Sequence, residues 1–151
     1  MQYAFLALII LGMVYGIRQV VLRNKKQEPI RNLVEELPVR FQLPVQIKYW
    51  IGPAGYWSMK TASGNELIVR EGAIEISMRG PLKYDRLGKA RLFDPTNTEF
   101  EYTRIRSGEW IAISGLEPGD SGRVEQVAVR NRRHNREILD ALATSGARRR
   151  P

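Results

Sequence analysis

The chain contains no cysteine. Disulfide staples, thiolate nucleophiles and cysteine-ligated zinc are therefore excluded, and the composition fits a reducing compartment. A single histidine stands among 151 residues, which argues against a histidine-rich metal centre or a clustered imidazole switch. HExxH and DxDxDG spacings and glycine-rich phosphate loops are missing too, so neither a metal nor a nucleotide cofactor is expected. Long apolar runs are confined to the N-terminus. What remains is room for one ordinary domain of roughly 100 residues with an anchor and tails, large enough to bury a core unaided.

Positive charge is abundant but uneven. The formal net charge is +8. Residues 18–31 hold five basic side chains against Glu28, and residues 130–151 hold seven against Glu137 and Asp140. The 98 residues between them carry 12 basic and 13 acidic side chains. A near-neutral body with basic ends suggests a nearby anionic surface rather than a cationic reaction cleft, although a basic terminal run is equally consistent with a solvated tail.

Tyr3 to Leu22 reads YAFLALIILGMVYGIRQVVL. As a helix these residues rise about 30 Å, the hydrocarbon thickness of a bilayer. The uninterrupted part, Tyr3 to Ile17, is only 15 residues, so spanning requires Arg18 to extend toward the headgroups. No basic residue precedes the run and no small-residue cleavage pattern ends it, which favours a retained anchor over a cleaved signal peptide. Arg18, Arg23, Lys25 and Lys26 all follow it. The positive-inside rule then places the N-terminus outside and the C-terminal domain in the cytoplasm of a single-pass cell-membrane protein. Gly12 and Gly16 form a GxxxG that would let a second helix approach, offering a route to a homodimer, although glycine is common in membrane helices anyway.

Residues 23–44 read as a juxtamembrane linker, polar from Asn24 to Glu28. Ile30, Leu33, Val34 and Leu37 then recur at helical spacing between Pro29 and Pro38. This short amphipathic helix would lie either at the bilayer surface or against its own domain. From Val45 the pattern becomes extended. Candidate strands are Val45–Trp50, Tyr56–Thr61, Glu66–Arg70, Ala73–Met78, Lys89–Phe93, Glu99–Arg106, Trp110–Ser114 and Arg123–Val129, separated by turn residues such as Glu71-Gly72 and Ser107-Gly108. Val124 and Val127 have opposite parity, which predicts a bulge near Glu125 or a slipped boundary. Ile138, Leu139, Leu142 and Ala143 form the stripe of a last helix, with Asn131 at its start and Gly146 at its end. The expected fold is mainly β, an N-terminal transmembrane helix followed by a small antiparallel barrel over 45–146 with a C-terminal capping helix, then a basic tail over 147–151.

The hairpin LIVREGAIEIS, from Leu67, and the ending VEQVAVRNRRHNREILDALATSG, from Val124, resemble the early hairpin and the last strand and helix of bacterial PH-like domains, members of the pleckstrin-homology superfold. The resemblance is architectural and covers roughly residues 45–146. It implies protein, peptide or lipid binding rather than catalysis. Lipid-binding members carry a basic cluster near the early strands, and here those strands offer only Lys48, Lys60 and Arg70. An oligonucleotide-binding barrel is the competing fold.

Three groups of side chains stand out. Tyr49, Trp50, Tyr56 and Trp57 flank the loop IGPAG and suit either a partner-binding platform or ring packing between two strands. Arg132, Arg133 and Arg136 crowd the start of the last helix, where the helix dipole disfavours cations. With Arg148, Arg149 and Arg150 they could contact anionic lipid, or form a solvated end. Nucleic acid is less favoured because no aromatics are interleaved with these residues. His134 near Glu137 and Asp140 lacks a nucleophile and reads as surface chemistry. The function these features suggest is a non-enzymatic module, tethered to the bilayer, that binds a membrane or membrane-associated protein as an accessory or scaffold of a bacterial membrane complex. An anionic-lipid-binding module is the alternative, and an enzyme or a nucleic-acid binder ranks below both.

Overall fold

The computed structural model describes residues 2–59, 61–78, 91–119 and 124–151. Lys60, Lys89 and Arg123, which belong to the expected strands and basic set, lie outside them. The first element, α1, is one helix from Gln2 to Glu35. It runs without a break through Asn24–Glu28, where a linker was expected. Pro29 lies inside it and costs one backbone hydrogen bond, which the surrounding turns tolerate. Leu6, Leu8, Ile10, Leu11, Met13 and Ile17 are all exposed, so the first half of α1 shows apolar side chains in every direction.

The membrane anchor is nevertheless not supported. Among the described residues no helix is long and apolar enough to cross a membrane. The apolar run that ends at Ile17 rises only about 22 Å at 1.5 Å per residue, short of the roughly 30 Å of a bilayer core, before Arg18 and Gln19 intervene. The topology deduced from Arg18, Arg23, Lys25 and Lys26 loses its basis, and with it the single-pass cell-membrane location, the bilayer and membrane-protein partners, and the pairing of membrane helices through Gly12 and Gly16.

The strands are β1 (Val39–Ile51), β2 (Tyr56–Trp57), β3 (Ala62–Arg70), β4 (Ala73–Met78), β5 (Arg91–Phe93), β6 (Thr98–Ile105), β7 (Gly108–Leu116), β8 (Val124–Arg130) and β9 (Arg148–Arg149). They form one nine-stranded sheet in the order β5-β4-β3-β1-β8-β7-β6-β9, with β2 paired to β1 off that path. All pairings are antiparallel except β6 with β9. A barrel would need the two ends of this order to join. Instead the sheet is open, ending in strands of three and two residues, and the architecture is mixed α/β. The closed barrel and the PH-like assignment are both overturned. Short edge strands limit the unpaired backbone that an open sheet presents.

β1 is the central long strand. It pairs with β3 through Val45↔Asn65 and with β8 through Gln46↔Arg130. Its register with β3 shifts between Val39 and Phe41 and again between Val45 and Ile47, and such irregularities bend a strand. β8 and β7 pair without interruption from Leu116↔Val124 to Ile111↔Val129. No bulge occurs at Glu125; Val124 is simply exposed.

The second helix, α2 (Asn135–Thr144), buries Ile138 and Leu142. They join Val45, Ile47, Leu67, Val69, Ile74, Ile76, Phe100, Ile111, Ile113, Val127 and Val129 in the main core, so α2 covers one sheet face. Period-two alternation sends the intervening residues to the other face. There Ile30 and Val34 at the end of α1, with Leu37 just beyond it, pack on Ala73 and Leu92. Arg70 fastens this contact, donating to the carbonyls of Glu35 and Leu37 at 3.2 and 2.9 Å while its Nε lies 3.3 Å from Glu75. Cations at helix C-termini meet carbonyls that have no intrahelical donor.

Candidate anion-binding site

The turn from Asn131 to His134 carries the chain from the end of β8 to α2, and hydrogen bonds fix it. Asn131 Nδ2 donates to Pro44 O at 2.9 Å, and its backbone N–H donates to Asn135 Oδ1 at 2.9 Å. The Arg133 N–H donates to Asn131 Oδ1 at 3.2 Å. These contacts use asparagine side chains within the turn, and none caps the helix. His134 holds the N-cap position without a side-chain hydrogen bond to a backbone N–H of the first turn. The amide donors that open α2 therefore have no N-cap side-chain acceptor.

Arg132, Arg133 and Arg136 are exposed around this turn. None makes a side-chain hydrogen bond or ion pair with another described residue. Arg130, just before them, is buried. It donates to Gln46 Oε1 at 2.9 Å and to Ser107 O at 2.5 Å, and lies over the Trp110 ring. Burial first, and then the charge of Arg132, pull its pKa below the ordinary arginine range, although arginine remains protonated. Like charges are thus already crowded here in the free protein.

Two clefts flank the turn. One, of about 430 Å³, is bordered by Tyr102, Ser107, Glu109, Asn135 and Arg136 together with Arg130, Arg132 and Arg133. Its acid, Glu109, accepts a 3.0 Å hydrogen bond from the Tyr102 hydroxyl. The other, of about 560 Å³, lies between Pro44–Gln46, Ser63–Asn65 and Arg130–Arg133, and has no acidic side chain in its wall. A larger groove of about 820 Å³ runs along the opposite flank of α2, where Glu137 and Asp140 face Arg40, Arg70 and Glu71. Arg40 is ion-paired with Glu71. The acid in the first turn of α2, Glu137, lines this groove and pairs with His134 Nδ1 at 2.8 Å. Its charge is directed away from the two arginine clefts.

The tail arginines are separately committed. Arg148 and Arg150 both grip Glu99, at 2.9 and 2.5 Å. The hydrogen bond from Arg150 dominates and holds the Glu99 carboxyl below its ordinary range. Arg149 stays exposed. Tyr102, itself exposed, borders both the Arg132–Arg136 cleft and a cleft at Arg149 and Arg150. The sequence reading missed this aromatic among the basic residues because Tyr102 comes from β6, far away along the chain. Nothing in the described structure supports membrane association, so the expected anionic-lipid role of Arg132, Arg133, Arg136, Arg148, Arg149 and Arg150 loses its basis.

The aromatic quartet is divided. Trp50 and Trp57 are cross-strand partners with ring centroids 5.1 Å apart and planes at 70°, an edge-to-face pair. Tyr49 is half-buried beneath Arg91, and burial raises its pKa more than that guanidinium lowers it. Only Tyr56 is largely exposed. No shared platform forms. Gly12 and Gly16 meet no neighbouring atoms. Among the described residues no three His, Asp or Glu side chains gather as metal ligands. No protein-family model matches the chain, and no curated protein does.

Proposed function

We propose that the domain is a non-catalytic receptor for a small phosphate-bearing ligand, bound at the arginine-rich start of α2. One observation carries this reading. Arg132, Arg133 and Arg136 surround a helix start that lacks a side-chain cap, and none of them makes an ion pair with a described acid. Backbone donors at a helix N-terminus and guanidinium forks both favour phosphate oxygens. Holding several cations at the positive end of a helix is unfavourable without an anion, so binding relieves a repulsion already present. Among the described residues none beside these arginines has the nucleophile–base geometry of catalysis, and the His134–Glu137 pair lies exposed, lining neither cleft.

Calorimetric titration of the full chain with inorganic pyrophosphate tests the reading. Saturable binding that weakens with added salt is expected, falling at least tenfold in Arg132→Gln/Arg133→Gln/Arg136→Gln. No saturable binding at low ionic strength, or equal binding by the triple variant, would overturn it.

A further inference from the structure

Asn65 is polar on an apolar face. It has the parity of Leu67 and Val69, the core residues of β3, and its strand partner is the buried Val45. It is only 4% exposed, and its Nδ2 has no hydrogen-bond partner. Buried amide donors are nearly always satisfied, because stripping one of water without replacement is costly. Asn65 lines the acid-free cleft beside Arg132 and Arg133, with its Nδ2 just beneath the surface. A residue with an unsatisfied donor therefore stands at a cleft walled by two arginines that make no ion pair with another described residue. The neighbouring cleft offers no equivalent, since its polar groups include Glu109 and its tyrosine partner.

Building on the anion-receptor reading, we infer that the cleft between Pro44–Gln46, Ser63–Asn65 and Arg130–Arg133 is the phosphate subsite, with Asn65 Nδ2 as its directional donor. Arg132 and Arg133 supply the charge. Arg130 stays engaged with Gln46 and Ser107 and acts as the fixed wall. Asn65 distinguishes a phosphate oxygen, an acceptor, from a ligand group that presents only donors. Phosphate is preferred to a carboxylate of similar size, because its oxygens can meet the arginine forks and the amide together.

The test combines a side-chain probe with a variant. Inorganic phosphate is titrated into the 15N-labelled full chain while the Asn65 side-chain NH2 resonances are followed. Saturable movement of those resonances is expected, on the same curve as the backbone amides of residues 131–136. Asn65→Leu removes the orphan donor, so its melting temperature should stay level or rise while phosphate affinity falls about tenfold. Phosphate binding that leaves the Asn65 NH2 unmoved, or that is undiminished in a folded Asn65→Leu variant, overturns the subsite and leaves the arginine reading standing. Failure of phosphate to bind the wild-type chain removes both. If Asn65→Leu does not fold, Asn65 supports the structure, and the wild-type NH2 titration decides the subsite.

Discussion

The guanidinium carbon of Arg130 lies 4.2 Å from the centroid of the Trp110 indole, and Lys48 Nζ lies 5.6 Å from the same ring. Two buried cations share one aromatic residue. Lys48 meets its remaining need through the carbonyls of Ser58 and Met59, at 2.8 and 2.9 Å. Arg130 meets its own through a planar fork to Gln46 and Ser107. A lysine cannot reproduce that fork or the stacking. Arg130→Lys should therefore cost about 1–3 kcal/mol, read as a lower urea midpoint at unchanged slope. An unchanged midpoint would show that the fork adds nothing.

Gly115 faces Thr98 across the β6–β7 pair. A methyl group at Gly115 would lie 2.2 Å from Thr98 Oγ1 and 3.0 Å from its Cα. The hydroxyl cannot swing away freely, because it donates to Asp94 O at 2.6 Å. Gly115→Ala should destabilise the domain by about 1–3 kcal/mol through overpacking. Thr98→Ser/Gly115→Ala should recover little, since the hydroxyl and the backbone contact both remain. A wild-type melting temperature in the single variant would contradict the close approach.

Glu99 ties down the end of the chain, and the tie is pH-dependent. Its pKa is lower in the folded state than in the unfolded state, so its contribution is present above the unfolded value and is lost as pH falls through the folded one. The Arg150 N–H donates to Phe100 O at 2.8 Å and reports on the tie. Its amide resonance should titrate with a midpoint below the ordinary glutamate pKa of about 4.3, and Glu99→Gln should abolish that titration. A midpoint above the ordinary value would mean that the arginines do not stabilise the carboxylate.

Much of the local structure was legible. Alternation at Ile74 and Ile76 placed β4, Glu71-Gly72 placed its hairpin, and the stripe at Ile138 and Leu142 placed α2. Closure was not legible, because alternation says which face a residue takes and nothing about whether the outer strands meet. The continuity of α1 was hidden by Pro29, and the first half of β1 by Pro44. Among the candidate site residues, the arginines were visible as a charge run, but their division was not. Arg148 and Arg150 are bound to an acid about fifty positions earlier, while Arg132, Arg133 and Arg136 make no ion pair with another described residue. Asn65 carried a usable signal in its shared parity with Leu67 and Val69. Beginning the expected strand at Glu66 left it out, whereas β3 starts at Ala62.

The pairing of Gln46 with Arg130 spans 84 positions. On the ribosome, β1 must wait for that partner while β3 and β4 are already available beside it. At typical synthesis rates of about 5–20 residues per second the wait is roughly 4–17 s. During that interval one edge of β1 is open, close to an aromatic hairpin and a nascent apolar core. The clefts around Arg132 and Arg133 do not yet exist, because both walls depend on β8 arriving. Any ligand that recognises this end therefore recognises a chain whose central pairing is already complete.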